Sequence, residues 1–169
     1  DVNTVSIGFD PFNSLSDIPQ SPKSRYKIMT KEMPKGGKQS LEMMYRTCGI
    51  QINYDYTSEE NFEKIFRLGN YLTPLTIALY SNSPFESGQP VGYYSYRNKV
   101  WQNTSRGGIM PIAFEKVSFE KYFDHVAEYP ILFVIRDKNY IEPNGQPFKD
   151  FILGNFSNLK DEASLQDFE

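Results

Sequence analysis

Arg97 and Trp101 stand four residues apart in YSYRNKVW, residues 94–101. On a helix they would share a face. Arginine offers a planar fork that matches a carboxylate, and an indole offers a wall for an aliphatic stem. A lone Trp more often anchors a core, and that reading stays open here.

A second set lies in RTCGIQINYDY, residues 46–56, which alternates strictly. Odd positions carry Thr47, Gly49, Gln51, Asn53 and Asp55; even positions carry Arg46, Cys48, Ile50, Ile52, Tyr54 and Tyr56. Neutral hydroxyl and amide groups donate and accept hydrogen bonds, and Gly49 leaves room for close approach to the backbone. The odd row therefore fits a face that lines a wet cavity and touches a polar ligand. It fits a plain solvent-exposed face equally well. Arg25 in SRYK and Arg106 in NTSRGG sit beside small or flexible residues, and Gly107 and Gly108 could turn backbone N–H groups toward an anion. His125 is the only histidine, so no His-rich zinc site can form. Cys48 falls on the aliphatic side of the alternation and reads as a small core residue.

These residues need elements to hold them. Residues 4–9 read as a strand and 10–24 as a loop. Tyr26, Met29 and Met33 have helical spacing over residues 24–33, ending before Pro34. Residues 41–56 read as the alternating strand. Thr57 with Glu60 forms a capping box that opens a long helix containing Phe62, Ile65, Phe66, Gly69, Leu72 and Leu75 on one face and ending near 81–85. Residues 86–92 and 103–108 read as loops. Residues 93–102 fit helix and strand equally. A short amphipathic helix over 118–129 turns Phe119, Tyr122, Phe123 and Val126 inward. Residues 131–136 and 140–143 form a hairpin, and 147–153 a last short helix. Helices and strands alternate irregularly, so the fold class is α+β with an antiparallel sheet.

The chain has 169 residues, 39% of them hydrophobic, with 12 Tyr and 13 Phe, enough for one domain with a real core. A net charge of −3 gives no basic footprint, which argues against a nucleic-acid or anionic-membrane partner. No apolar run approaches the roughly 20 residues needed to cross a bilayer. A single cysteine excludes an intrachain disulfide and fits a reducing compartment, and DVNTVSIGFD has no signal-peptide pattern, so a cytoplasmic location is expected. Ser164 caps a helix that the chain's end cuts short, which reads as a fragment.

RYKIM, MPK, MMYRTCGIQIN, FRLGNYLTPLTIALYSNSPFESGQP and GYYSYRNKVW follow one another in order. Together they resemble the plant and alphaproteobacterial type of glutamate–cysteine ligase, from about Ile7 to Leu153. The resemblance implies a glutamine-synthetase-like catalytic fold, an antiparallel sheet backed by helices, incomplete at both ends. Residues 1–169 would be the central part of one catalytic domain. It implies ATP and Mg²⁺ as cofactors and L-glutamate and L-cysteine as small-molecule substrates. The γ-carboxylate of glutamate would be phosphorylated and then attacked by the cysteine amine.

Carried onto this chain, the resemblance has Arg97 bind the α-carboxylate of glutamate and Trp101 wall its side chain. Thr47 and Gly49 line that pocket. Gln51 and Asn53 face the metal–phosphate region, and Arg106 contacts phosphate. Arg25 and Arg46 serve the cysteine or phosphoryl site, a structural ion pair being the other reading of Arg46. The family's acidic metal-binding strand lies N-terminal to these motifs. No metal ligand is assigned among Glu42, Asp55, Glu59 and Glu60, whose spacing is unsuited. The resemblance implies that the chain alone lacks ligase activity. A related ligase with another amine acceptor, and a non-catalytic module for a small polar ligand, are the competing readings.

Overall fold

In the computed structural model residues 3–105 and 107–156 are described. Local capping chemistry sets the helix starts. The helix α3, Glu59–Tyr80, opens where Ser58 Oγ accepts the Asn61 N–H at 3.1 Å. Asn61 Oδ1 in turn accepts the Thr57 N–H at 3.1 Å, so the cap pair sits one residue beyond the expected Thr57 and Glu60. Glu59 instead accepts the N–H of Phe119, tying α3 to the start of a later helix.

The N-terminal half gathers around Phe9, which is 1% exposed. Helix α1, Ser24–Gly36, runs through Pro34 and ends three residues beyond its expected end at Met33. Helix α2 spans Ser40–Arg46. After α3, β1 (Phe85–Glu86) and β2 (Gln89–Pro90) pair antiparallel across Ser87 and Gly88, both at positive φ. That is a two-residue primed turn inside the stretch expected to be loop, and the Ser-Gly dipeptide is its sequence signal. Helix α4, Tyr96–Gln102, settles the helix-or-strand ambiguity, with Ser95 Oγ accepting from Asn98 N. Val100 of α4 is fully buried, and Tyr96 meets Phe9 edge-on at 5.1 Å.

The C-terminal half packs helix against hairpin. Helix α5, Phe119–Ala127, is capped by Ser118. Strands β3 (Val134–Arg136) and β4 (Asn139–Ile141) pair antiparallel, and α6 spans Phe148–Ile152. Ala127, Val134, Phe148, Phe151 and Phe156 form one buried cluster, with Ile131 and Ile141 against it. Phe119 and Tyr122 join the halves by packing on Phe62 of α3, tilted and edge-on, at 5.2 and 5.4 Å. Phe119 and Phe123 nevertheless remain 42% and 41% exposed. The fold is thus mixed α+β, with small antiparallel sheets and helices packed on the second of them.

Several expectations fail. Residues 41–56 are not one strand: the first part is α2, and 48–56 run on outside any sheet. Only Thr47 bridges, to Phe9, in place of a strand over 4–9. The reason is that among the described residues no strand lies beside 48–56 to complete a ladder. Ile50 and Ile52 are therefore 95% and 67% exposed, and Cys48 is exposed rather than core. The same holds for the second half of α3, where Leu72 and Leu75 face outward.

Gly37 closes α1 against the end of α4. A Cβ there would collide with the Asn103 carbonyl oxygen and lie 2.6 Å from Thr104 Cα. Backbone atoms cannot swing aside as a flexible side chain can, so Gly37→Ala is expected to cost about 1–3 kcal/mol. Chemical denaturation measures it; a melting temperature within about 1 °C of wild type would show that the approach is looser than this.

Candidate functional site

Arg97 occupies the first turn of α4 and is half-buried. Its backbone N–H donates to Ser83 Oγ at 3.2 Å. Ser83 is 4% exposed, donates its N–H to the Tyr94 carbonyl, and accepts from Tyr96 N. The Arg97 side chain then crosses two backbone stretches. At Gly8 a Cβ would lie 3.2 Å from Arg97 Cδ; at Gly49 it would lie 3.1 Å from Nη2. These stretches are themselves joined, since Cys48 N donates to the Gly8 carbonyl at 3.0 Å. Arg97 Nε donates to the Cys48 carbonyl at 3.0 Å, and the guanidinium lies 5.3 Å from the Trp101 ring centre, one helical turn on.

Among the described residues neither terminal nitrogen of Arg97 has a hydrogen-bond or ion-pair partner. A guanidinium with its Nε committed and its terminal nitrogens uncommitted can take an anion. Trp101 serves a second surface as well. It lines an apolar cavity of about 450 Å³ with Met29, Met33, Met43, Ile131 and Leu132, and its Nε1 is buried without a hydrogen-bond partner.

The other expected site residues distribute as follows. Thr47 Oγ1 donates back to the Met43 carbonyl at 2.6 Å, while its backbone bridges Phe9 next to Gly8. Gln51 Nε2 donates to Asn53 Oδ1 at 3.0 Å, which puts both side chains on one side of the chain, as the alternation requires. Both are exposed, and neither has a hydrogen bond to Arg97. Arg25 is exposed, with its guanidinium 5.5 Å from the Tyr26 ring centre. Arg106 lies outside the described residues, as does the helix expected from Ser164.

Arg46 is 3% exposed in the last turn of α2. Nη1 donates to Glu42 at 2.8 Å and to Glu86 at 3.3 Å, Nη2 to the Asp10 carbonyl at 3.3 Å, and the guanidinium lies over Phe9 at 4.4 Å. Asp10 is partly desolvated, which alone would raise its pKa. Hydrogen bonds from Asn13 and Phe12, with Arg46 nearby, hold it below the ordinary 3.8. Burial, with Glu86 alongside, pushes the Tyr96 phenol upward.

Gly8 and Ser83 were not among the residues expected from sequence. Gly8 had a weak signal as a glycine inside the apolar run IGF; Ser83 had none. Among the described residues no group of three or more His, Cys, Asp and Glu side chains could hold a metal ion. The described residues therefore do not offer the clustered carboxylates that a magnesium site needs.

The described residues form a mixed α+β chain in which a guanidinium held through Nε lies beside an indole, an arrangement with the chemistry to accept a carboxylate. Residues 2–156 match Glutamate-cysteine ligase family 2, and the chain belongs to that family. Over 99% of its length it is 42% identical to the chloroplastic glutamate–cysteine ligase A of Oryza sativa subsp. japonica, covering 35% of that protein. It is 42% identical to the chloroplastic enzyme of Nicotiana tabacum and 40% to that of Arabidopsis thaliana, again over 99% of this chain and 33% of each relative. The chain thus spans about a third of the length of these curated relatives. Their names overturn the cytoplasmic expectation: the relatives are chloroplastic enzymes, and a single cysteine does not distinguish one compartment from the other. Among the described residues no helix is long and apolar enough to cross a membrane.

Proposed function

We propose that this chain is the central part of the catalytic domain of a plastid glutamate–cysteine ligase. The whole enzyme joins the γ-carboxylate of glutamate to the amine of cysteine, with ATP activating the carboxylate. Arg97 binds the α-carboxylate of glutamate through its two free terminal nitrogens, and Trp101 walls the glutamate stem. Thr47 and Gly49 border that pocket through the backbone. The single observation that carries this reading is the Arg97 guanidinium, fixed through Nε and left open at both ends.

Gln51 and Asn53 continue the same face beyond Gly49. They serve the phosphate end as neutral donors and acceptors, with Arg106 and Arg25 as further cations for phosphate and cysteine. Arg46 keeps this segment in place. The glutamine-synthetase-like sheet is completed by chain outside residues 1–169. The exposed apolar row of Ile50, Ile52 and Tyr54 supports that, because such a row is costly in water and cheap in a sheet. ATP and Mg²⁺ act in the whole enzyme, with the metal held by groups from outside this chain.

The test is an assay of the intact enzyme with glutamate, cysteine and Mg-ATP, following γ-glutamylcysteine and phosphate together. Stoichiometric formation of both is expected, with residues 1–169 alone giving no turnover. Turnover with other amino acids at rates equal to cysteine would overturn the acceptor assignment. Absence of product from the intact enzyme would overturn the ligase.

A further inference from the structure

We propose that Gly8 and Ser83 are positioning residues that set the aim of Arg97. This rests on the reading of Arg97 as the carboxylate-binding group. An arginine side chain has four rotatable bonds, and ordering a long side chain costs rotamer freedom. An arginine that is free in solution must meet that cost when the ligand arrives; one already held has met it on folding. The surroundings of Arg97 restrict it at three heights.

At the base, the Arg97 N–H is anchored to Ser83 Oγ. Ser83 is clamped by its own backbone, which exchanges hydrogen bonds with Tyr94 and Tyr96 in a parallel bridge to Ser95. This fixes the start of α4, and with it the direction in which Arg97 leaves the helix. At the stem, Gly8 leaves no gap: a Cβ there would meet Arg97 Cδ at 3.2 Å and Asn82 Oδ1 at 2.8 Å. The stem thus lies against bare backbone, and a side chain at position 8 would push both the stem and the Asn82 amide off their present positions. At the head, the Cys48 carbonyl takes Nε. That carbonyl is held in turn, because Cys48 N is bonded to the Gly8 carbonyl. Gly8 therefore acts twice, as the floor under the stem and as the tie for the segment whose Cys48 carbonyl holds the head.

Gly8→Ala and Ser83→Ala in the intact ligase test this. Each is expected to raise the KM for glutamate about 5- to 20-fold, the range that one lost positioning contact of about 1–2 kcal/mol produces. The KM values for cysteine and ATP, and kcat, should change less than about 2-fold. Ser83→Thr, which keeps the hydroxyl, should restore most of the glutamate KM. A rise shared by all three substrates, or no rise, overturns the proposal. Circular dichroism of each variant checks folding; if Ser83→Ala fails to fold, Gly8→Ala decides alone through the same split between substrates. Arg97→Ala separates the two layers. If it leaves glutamate binding intact, the carboxylate reading has failed. If it weakens binding while Gly8→Ala and Ser83→Ala do not, only the positioning has failed.

Discussion

Arg97→Ala in the intact ligase is expected to raise the KM for glutamate by about two to three orders of magnitude. The two terminal nitrogens would form parallel hydrogen bonds to one carboxylate, and each charge-assisted bond contributes about 1.5–3 kcal/mol. With about 1.4 kcal/mol per tenfold, even the lower end gives a loss near 100-fold. Arg97→Lys should recover little. A lysine ammonium cannot span two carboxylate oxygens in a plane, and it cannot keep the Nε bond to the Cys48 carbonyl. The KM for ATP should hold nearly constant in both variants, because that substrate has no part in this contact. Glutamate KM values measured at saturating ATP and cysteine decide the matter, and an unchanged value for Arg97→Ala would remove the basis of the assigned function.

The Arg97–Trp101 pairing was legible because it is local. Two residues four apart on a helix meet by geometry alone, and the guanidinium does lie over the indole. Ser95 three residues before Asn98 is the cap that decides for helix over strand across 93–102. What surrounds Arg97 was not legible. Gly8 and Ser83 lie 89 and 14 positions away, and nothing in their own neighbourhoods announces an arginine.

RTCGIQINYDY shows the opposite failure. Its alternation is genuine, since Gln51 and Asn53 share a side and bond to each other. A period of two states which residues face together, but it cannot state whether a partner strand is within reach. The first residue of that motif is buried and ion-paired, as one of its two readings had it, but for a different reason. Strand parity put Arg46 on an apolar row, whereas the chain is helical up to that residue, and a cation in the last turn of a helix faces favourable carbonyl dipoles.

Arg46→Ala is expected to be the most destabilising substitution in the N-terminal half, at about 3–5 kcal/mol. The pair itself need not add much stability over an apolar pair, because desolvating three charges offsets their attraction. Removing one member is different. Glu42 and Glu86 would face each other across an apolar space with Phe9 beneath and no cation between them. Their partial exposure, 22% and 32%, lets water enter and moves the expected cost toward about 3 kcal/mol. Arg46→Met, which refills the volume over Phe9 while leaving both carboxylates unpaired, should be nearly as damaging as Arg46→Ala. Adding Glu42→Leu to Arg46→Met should recover part of the loss, because it removes one orphaned charge. Urea denaturation of the intact enzyme gives these differences, and kinetics on the folded fraction separate the two roles open to this arginine. A structural Arg46 lowers the denaturation midpoint and leaves kcat of the surviving enzyme within about threefold. A catalytic Arg46 lowers kcat by orders of magnitude at unchanged stability, and that result would remove the structural assignment. The Arg46 carbonyl also accepts from Asp10 N, one hydrogen bond away from the Gly8–Cys48 tie that holds Arg97. The glutamate KM should therefore drift upward in the destabilised variants, and in proportion to the stability lost.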